Sequence, residues 1–131
     1  VEAVKSAETA LLLRKHLERT MPAAAAAFSA SSSPLLKQVQ DLVVRCNSVA
    51  VEEFQNNRYD TASFLLNKAL FLTDDLEETN LFGDAEHDRL RLRAATYNNL
   101  GCLEKRRGRL HASLEHLQKA AQLEVTVDPD V

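Results

Sequence analysis

Two segments of the sequence repeat one helical pattern, and this repetition constrains the fold more than any other feature. The first segment covers residues 57–70 and the second covers 108–121, so the copies lie 51 residues apart. In both, a turn residue is followed by an apolar residue, a small residue, a large apolar residue and an Asn/Gln-Lys-Ala triplet. The small residues, Ala62 and Ser113, allow two helices to approach closely. The repetition predicts an array of paired helices.

The composition favours the same fold class. Aromatic residues make up 5% of the 131 residues, tryptophan is absent, and glycine and proline number three each. Leu, Ala, Glu, Arg and Lys favour helices, whereas a sheet requires β-branched and aromatic residues and turn glycines. We therefore predict an all-α fold built from antiparallel helix pairs.

Apolar periodicity and capping signals divide the chain into segments. An amphipathic helix is predicted over 1–20, and an Ala/Ser-rich flexible linker over 21–33. Ser33-Pro34 is a helix start signal that opens a helical domain over 34–126, followed by a tail over 127–131. The domain is predicted to hold four helices. The first covers 34–56, and the second begins at residue 59 and ends either at Leu72 or at Glu78. The third runs from an N-cap at Asp84 to a stop at Gly108, and the fourth covers 110–124. The predicted apolar side of the fourth helix carries Leu110, Leu114, Leu117, Ala120, Ala121 and Leu123.

The repeated pattern resembles the tetratricopeptide repeat. The first helix of such a repeat, helix A, is visible in the second copy as Tyr97-Asn98-Asn99-Leu100-Gly101, where Leu-Gly stands at the tight crossing of helices A and B. Together with Lys105-Arg106-Arg107-Gly108, this segment is similar to the repeats of kinesin light chains. The resemblance covers about 43–73 and 94–124, although the spacing of 51 residues exceeds the usual 34. It implies a fragment of an α-solenoid.

The resemblance also implies a binding surface, because helix A in this family lines a concave face that receives a peptide or helix. Asparagine suits such a face because its amide both donates and accepts hydrogen bonds. Lys105 and Arg106 can hold a carboxylate. Carried over to this sequence, the partner-binding residues are Val44, Asn47, Val51, Phe54, Gln55, Ala95, Asn98, Asn99, Cys102, Lys105 and Arg106.

Charge is segregated along the chain. Residues 74–88 contain seven acids and no Lys or Arg, whereas 89–109 contain seven basic residues and a single acid, Glu104. In one interpretation these charges complement the dipole of the third helix, with acids at its start and cations at its end. In the other, the basic residues form a rim that receives an acidic partner segment.

The sequence offers no candidate for catalysis, metal binding or a cofactor. It lacks a glycine-rich phosphate loop, a nucleophile elbow and a His-Glu-x-x-His motif. His111 and His116 are five residues apart, which does not place them on one helical face, and a zinc site requires three or four convergent ligands. Cys46 and Cys102 lie on apolar helical faces, where buried cysteines are common.

We therefore expect a non-enzymatic, cytoplasmic adaptor that binds an acidic or amphipathic segment of another protein. Nucleic acid and membranes are not expected partners, because the net charge is −3 and no apolar run reaches about 18 residues. The alternative is a homo-oligomerisation module, such as a homodimer, that pairs through its apolar helical faces. Residues 1–20 are either a native capping helix or an appended segment that serves as the ligand, in cis or in trans.

Overall fold

The computed structural model describes residues 33–74, 82 and 85–127. Four helices make up its regular structure: α1 (Ser33–Gln55), α2 (Tyr59–Leu72), α3 (Glu86–Arg106) and α4 (Leu110–Val127). The all-α prediction is confirmed for this part of the chain. The predicted helix over 1–20, the linker up to residue 32, the N-cap at Asp84 and the tail after Val127 lie outside the described residues.

The two helix hairpins, α1–α2 and α3–α4, close with the same turn. Asn57 adopts a φ of 64° and Gly108 a φ of 77°, so each chain reversal passes through the left-handed region as the sequence predicts. In each turn the amide that follows this residue donates a 2.8 Å hydrogen bond to a carbonyl five residues earlier, from Arg58 to Glu53 and from Arg109 to Glu104. The sequence repeat is therefore also a repeat of local backbone geometry.

Helix α2 ends at Leu72, the earlier of the two ends that the sequence left open. Thr73 leaves the helical conformation with a φ of −104° and a ψ of 11°. Its buried hydroxyl donates a 2.8 Å hydrogen bond to the Ala69 carbonyl, which gives the side chain a partner within the last turn. Helix α3 begins at Glu86, with Ala85 at the N-cap position.

Two arginines of α3 bind the end of α2. Arg93 Nη1 donates to the Leu70 carbonyl at 2.8 Å, and Arg89 Nη1 donates to the Thr73 carbonyl at 2.9 Å. Carbonyls in the last turn of a helix lack intrahelical donors, and cations are favourable there. These arginines therefore join α3 to α2, a role that neither sequence interpretation of the basic stretch included.

The core lies among α1, α2 and α3. Helix α3 contacts both α1 and α2, whereas α4 packs almost entirely against α3. Phe82, in the connection between α2 and α3, is buried in the same cluster. The buried apolar residues of this cluster are Val39, Leu42, Val43, Cys46, Ala50, Phe54, Ala62, Leu65, Leu66, Ala69, Leu72, Phe82, Leu100 and Leu103.

Helix α4 differs most from its prediction. It continues beyond Glu124 to Val127, and most of its predicted apolar side is exposed rather than buried. Leu110 is 67% exposed and Leu114 is 54% exposed. The reason is that α4 has one principal neighbour, α3, and meets it through the small residues Ser113 and Ala120, which are the buried residues of this helix.

The crossing of α3 and α4 is close because Gly101 has no side chain. The Ser113 hydroxyl donates a 2.7 Å hydrogen bond to the Gly101 carbonyl. A Cβ atom at position 101 would lie 2.6 Å from Cγ of Leu117, which is shorter than any normal carbon–carbon contact. The Leu100-Gly101 pair therefore lies at a tight crossing of two helices, as the resemblance predicts.

Replacing Gly101 with valine should destabilise the protein. The added methyl groups would overlap Leu117 and force the helices apart, which typically costs about 1–3 kcal/mol of unfolding free energy. Cys102→Val is the matched control, because Cys102 is the next residue of α3 and is exposed. Urea denaturation measures both variants. Equal stability of the two would contradict the close crossing.

Candidate functional site

A cleft of about 360 Å³ opens between α1 and α3. Residues three, four and seven apart share one face of a helix, and this spacing brings a stripe of each helix to the cleft. It is lined by Val44, Asn47, Ser48, Val51, Leu92, Ala95 and Asn99. Five of these residues belong to the predicted partner-binding face; Ser48 and Leu92 were not predicted.

Asn47 forms the floor of this cleft and connects its two helices. Its side chain is buried, and its Nδ2 donates to the Thr96 hydroxyl at 2.9 Å and to the Val43 carbonyl at 3.0 Å. Its Oδ1 accepts a 2.8 Å hydrogen bond from Asn99 Nδ2. Because both of its N–H groups are used within the protein, Asn47 positions α1 against α3 instead of offering donors to a partner.

The walls of the cleft are apolar, with one amide that retains hydrogen-bonding capacity. Val44 is 52% exposed, Val51 is half-buried and Ala95 is exposed. Asn99 is half-buried and uses one N–H to reach Asn47, which leaves its second N–H and its carbonyl oxygen. The arrangement suits a segment that presents an apolar side chain beside a polar group.

Phe54 and Arg106, two further residues of the predicted face, contact each other instead of lining the cleft. Phe54 is 5% exposed and belongs to the core. The guanidinium of Arg106 lies 5.8 Å from the centre of its ring, within the range of a cation–π interaction. Phe54 is therefore covered, whereas Arg106 remains exposed at the end of α3.

The remaining predicted residues are exposed but do not line the cleft. Gln55 is the last residue of α1, and Asn98 and Lys105 share another face of α3. Cys102 is also exposed, which corrects its assignment to an apolar face; Cys46 is buried as predicted. The face implied by the resemblance therefore lines the cleft at three of its five positions in α1 and at two of its six positions in α3.

Among the described residues, no three His, Cys, Asp or Glu side chains are grouped closely enough to hold a metal ion. Burial raises the pKa of the Cys46 thiol, which keeps it protonated and unreactive. None of the described helices has the length and apolar character needed to cross a bilayer.

A second cleft, of about 370 Å³, lies between α3 and α4. It is lined by Arg93, Tyr97, Lys119, Gln122, Leu123 and Thr126. The Tyr97 ring stacks on His116, with 6.1 Å between ring centres. Partial burial and the nearby charge of Lys119 lower the pKa of His116, so its imidazole is neutral at neutral pH. Sequence analysis placed Tyr97 in a helix-packing motif and did not identify this cleft.

Comparison with known proteins gives no match: no protein family, no curated protein and no solved structure matches the chain. The likeness to tetratricopeptide repeats thus rests on the repeated pattern and on the Tyr97–Gly101 motif. Function has to be inferred from the two clefts and from the exposed surface of α4.

Proposed function

We propose that this chain is a non-enzymatic adaptor domain of the tetratricopeptide repeat type that binds a segment of a partner protein between α1 and α3. The observation that carries the proposal is the cleft lined by both helices, with apolar walls and the Asn99 amide. Concave surfaces that combine apolar walls with a few polar groups are typical binding sites.

The chemistry of the cleft favours an amphipathic segment with an acidic end. An apolar side chain of the partner would cover Val44, which is 52% exposed, and Asn99 would bond a peptide group or polar side chain of the partner. Arg106 lies seven residues beyond Asn99 on the same face of α3 and is exposed, so it can attract a carboxylate further along that segment.

The test begins with the selection of peptides from a random displayed library on the immobilised 131-residue chain. Synthetic versions of the selected peptides should combine apolar and acidic residues. We expect Val44→Glu, and separately Asn99→Ala, to weaken their binding about tenfold, or about 1.4 kcal/mol, as measured by calorimetry.

Phe64→Glu is the control, because Phe64 is 51% exposed, close to the exposure of Val44, and lies on α2 outside this cleft. The affinity of this variant should equal that of the wild type. Unchanged affinity in Val44→Glu, or an equal loss in Phe64→Glu, would contradict binding in the cleft. Competition by a synthetic peptide of residues 1–20 shows whether that segment is itself a ligand.

The exposed apolar stripe of α4 favours a second candidate function, homodimerisation. Leu110, Leu114, Leu117, Ala121 and Val125 follow one another at helical spacing, and none is charged. In an antiparallel pair of α4 helices centred on Leu117, Leu110 would face Val125 and Leu114 would face Ala121. Larger side chains would thus meet smaller ones, and complete burial of one leucine contributes about 1.5–3 kcal/mol.

Light scattering coupled to size-exclusion chromatography tests the dimer. The wild-type chain should have twice the monomer mass, and Leu114→Glu should return it to the monomer because a buried carboxylate would face Ala121 of the second copy. Phe64→Glu is the control, since Phe64 is 51% exposed on α2. A wild-type monomer, or identical effects of both substitutions, would exclude this interface.

A further inference from the structure

The cleft between α3 and α4 contains two cations that no carboxylate neutralises within the described part of the chain. Arg93 is half-buried and Lys119 is exposed, and both line the cleft. The ion pairs formed among the described residues involve other cations: Arg58, Arg89, Arg107, Arg109 and His111. Two positive charges beside one cleft attract an anion.

Arg93 is fixed by neutral partners that leave part of its guanidinium available. Nη1 donates to the Leu70 carbonyl at 2.8 Å and to the Thr73 hydroxyl at 3.3 Å, which accounts for both of its hydrogens. Nη2 makes only a long contact, 3.4 Å, with the Tyr97 hydroxyl. Nε–H and one N–H of Nη2 therefore remain, and guanidinium N–H groups bind carboxylates and phosphates through charge-assisted hydrogen bonds.

The Tyr97 ring contacts both cations. The Arg93 guanidinium lies 5.5 Å and the Lys119 ammonium 5.4 Å from the centre of the Tyr97 ring. Both distances fall within the range of cation–π interactions, which orient the cations without cancelling their charge. The Gln122 amide supplies a further donor, and Leu123 adds an apolar wall.

We propose that this cleft binds an oxyanion, a carboxylate or phosphate group carried on an aromatic or apolar body. Arg93 would donate two hydrogen bonds to the oxyanion, Lys119 would supply the second positive charge, and Leu123 and the Tyr97 ring would contact the apolar body. The site is separate from the proposed adaptor surface, because the two clefts share no lining residue.

Small probes test this site on the isotope-labelled full chain by nuclear magnetic resonance. Phenyl phosphate and benzoate carry the two oxyanions on the same ring, and benzyl alcohol is the neutral counterpart. We expect saturable shifts of the Arg93 Nε–H signal and of the amides of Tyr97, Lys119 and Gln122 with one or both anions. Stronger binding of phenyl phosphate would identify a phosphate site, and stronger binding of benzoate a carboxylate site.

Lys119→Gln should weaken the tighter anion about fivefold, since it removes one of two charges from an exposed position that the fold does not require. Lys105→Gln is the control, because Lys105 is an exposed cation of α3 outside the cleft. Arg93→Lys, with folding checked by its thermal transition, retains the charge but loses the paired hydrogen bonds and should also weaken binding.

Three results would overturn the proposal. The first is an identical set of shifts with benzyl alcohol, which would mean that the cleft binds the ring and not the anion. The second is an equal loss in Lys119→Gln and Lys105→Gln, which would indicate diffuse attraction to surface cations. The third is a linear, unsaturable response of the cleft signals to both anions.

Discussion

The arrangement of α1 against α3 depends on one buried amide, that of Asn47. Its hydrogen bonds to Thr96 and Asn99 are buried and partly buried polar contacts between the two helices, whereas the 3.4 Å hydrogen bond from Gln40 Nε2 to Asp88 Oδ2 is exposed. Thr96 completes the network by donating to the Leu92 carbonyl at 2.8 Å, so its hydroxyl both donates and accepts. A buried polar group without a hydrogen-bond partner destabilises the fold. The register of α1 and α3 in which all of these groups are hydrogen-bonded is therefore favoured over other registers. The α1–α3 cleft exists because that register is fixed.

Much of the fold could be predicted because its signals are local. Asn57 and Gly108 adopt the left-handed conformation that commonly follows a helix, and the spacing of leucines and alanines indicates the inner faces of α1 and α2. The sequence left two ends open for α2, since local periodicity does not show that Arg89 and Arg93 of the next helix bond the carbonyls of its last turn. The exposure of Leu110 and Leu114 was equally unpredictable, because periodicity shows that a face is apolar and not whether another element covers it.

The candidate site was predicted in part, through the resemblance to tetratricopeptide repeats. That resemblance implied that Val44, Val51, Ala95 and Asn99 belong to one binding face, and the structure brings them to one cleft. It could not distinguish an asparagine that faces solvent from one such as Asn47, whose N–H groups form hydrogen bonds inside the protein. The α3–α4 cleft was not predicted. Its lining residues come from two helices, and in the sequence the cations among them indicate only a solvated surface. Helix α3 thus takes part in both clefts, and the packing of α1 and α4 on its different sides keeps them apart.

A double-mutant cycle between Asn47 and Thr96 tests the central claim most directly. Asn47→Ala, Thr96→Val and the double variant are compared with the wild type by urea denaturation. If the amide bridge holds α1 against α3, the two substitutions should be coupled by about 1 kcal/mol or more, because either one already removes the shared hydrogen bond. Effects that add within about 0.3–0.5 kcal/mol would show that the two side chains act independently and would contradict this account of the helix pair and its cleft.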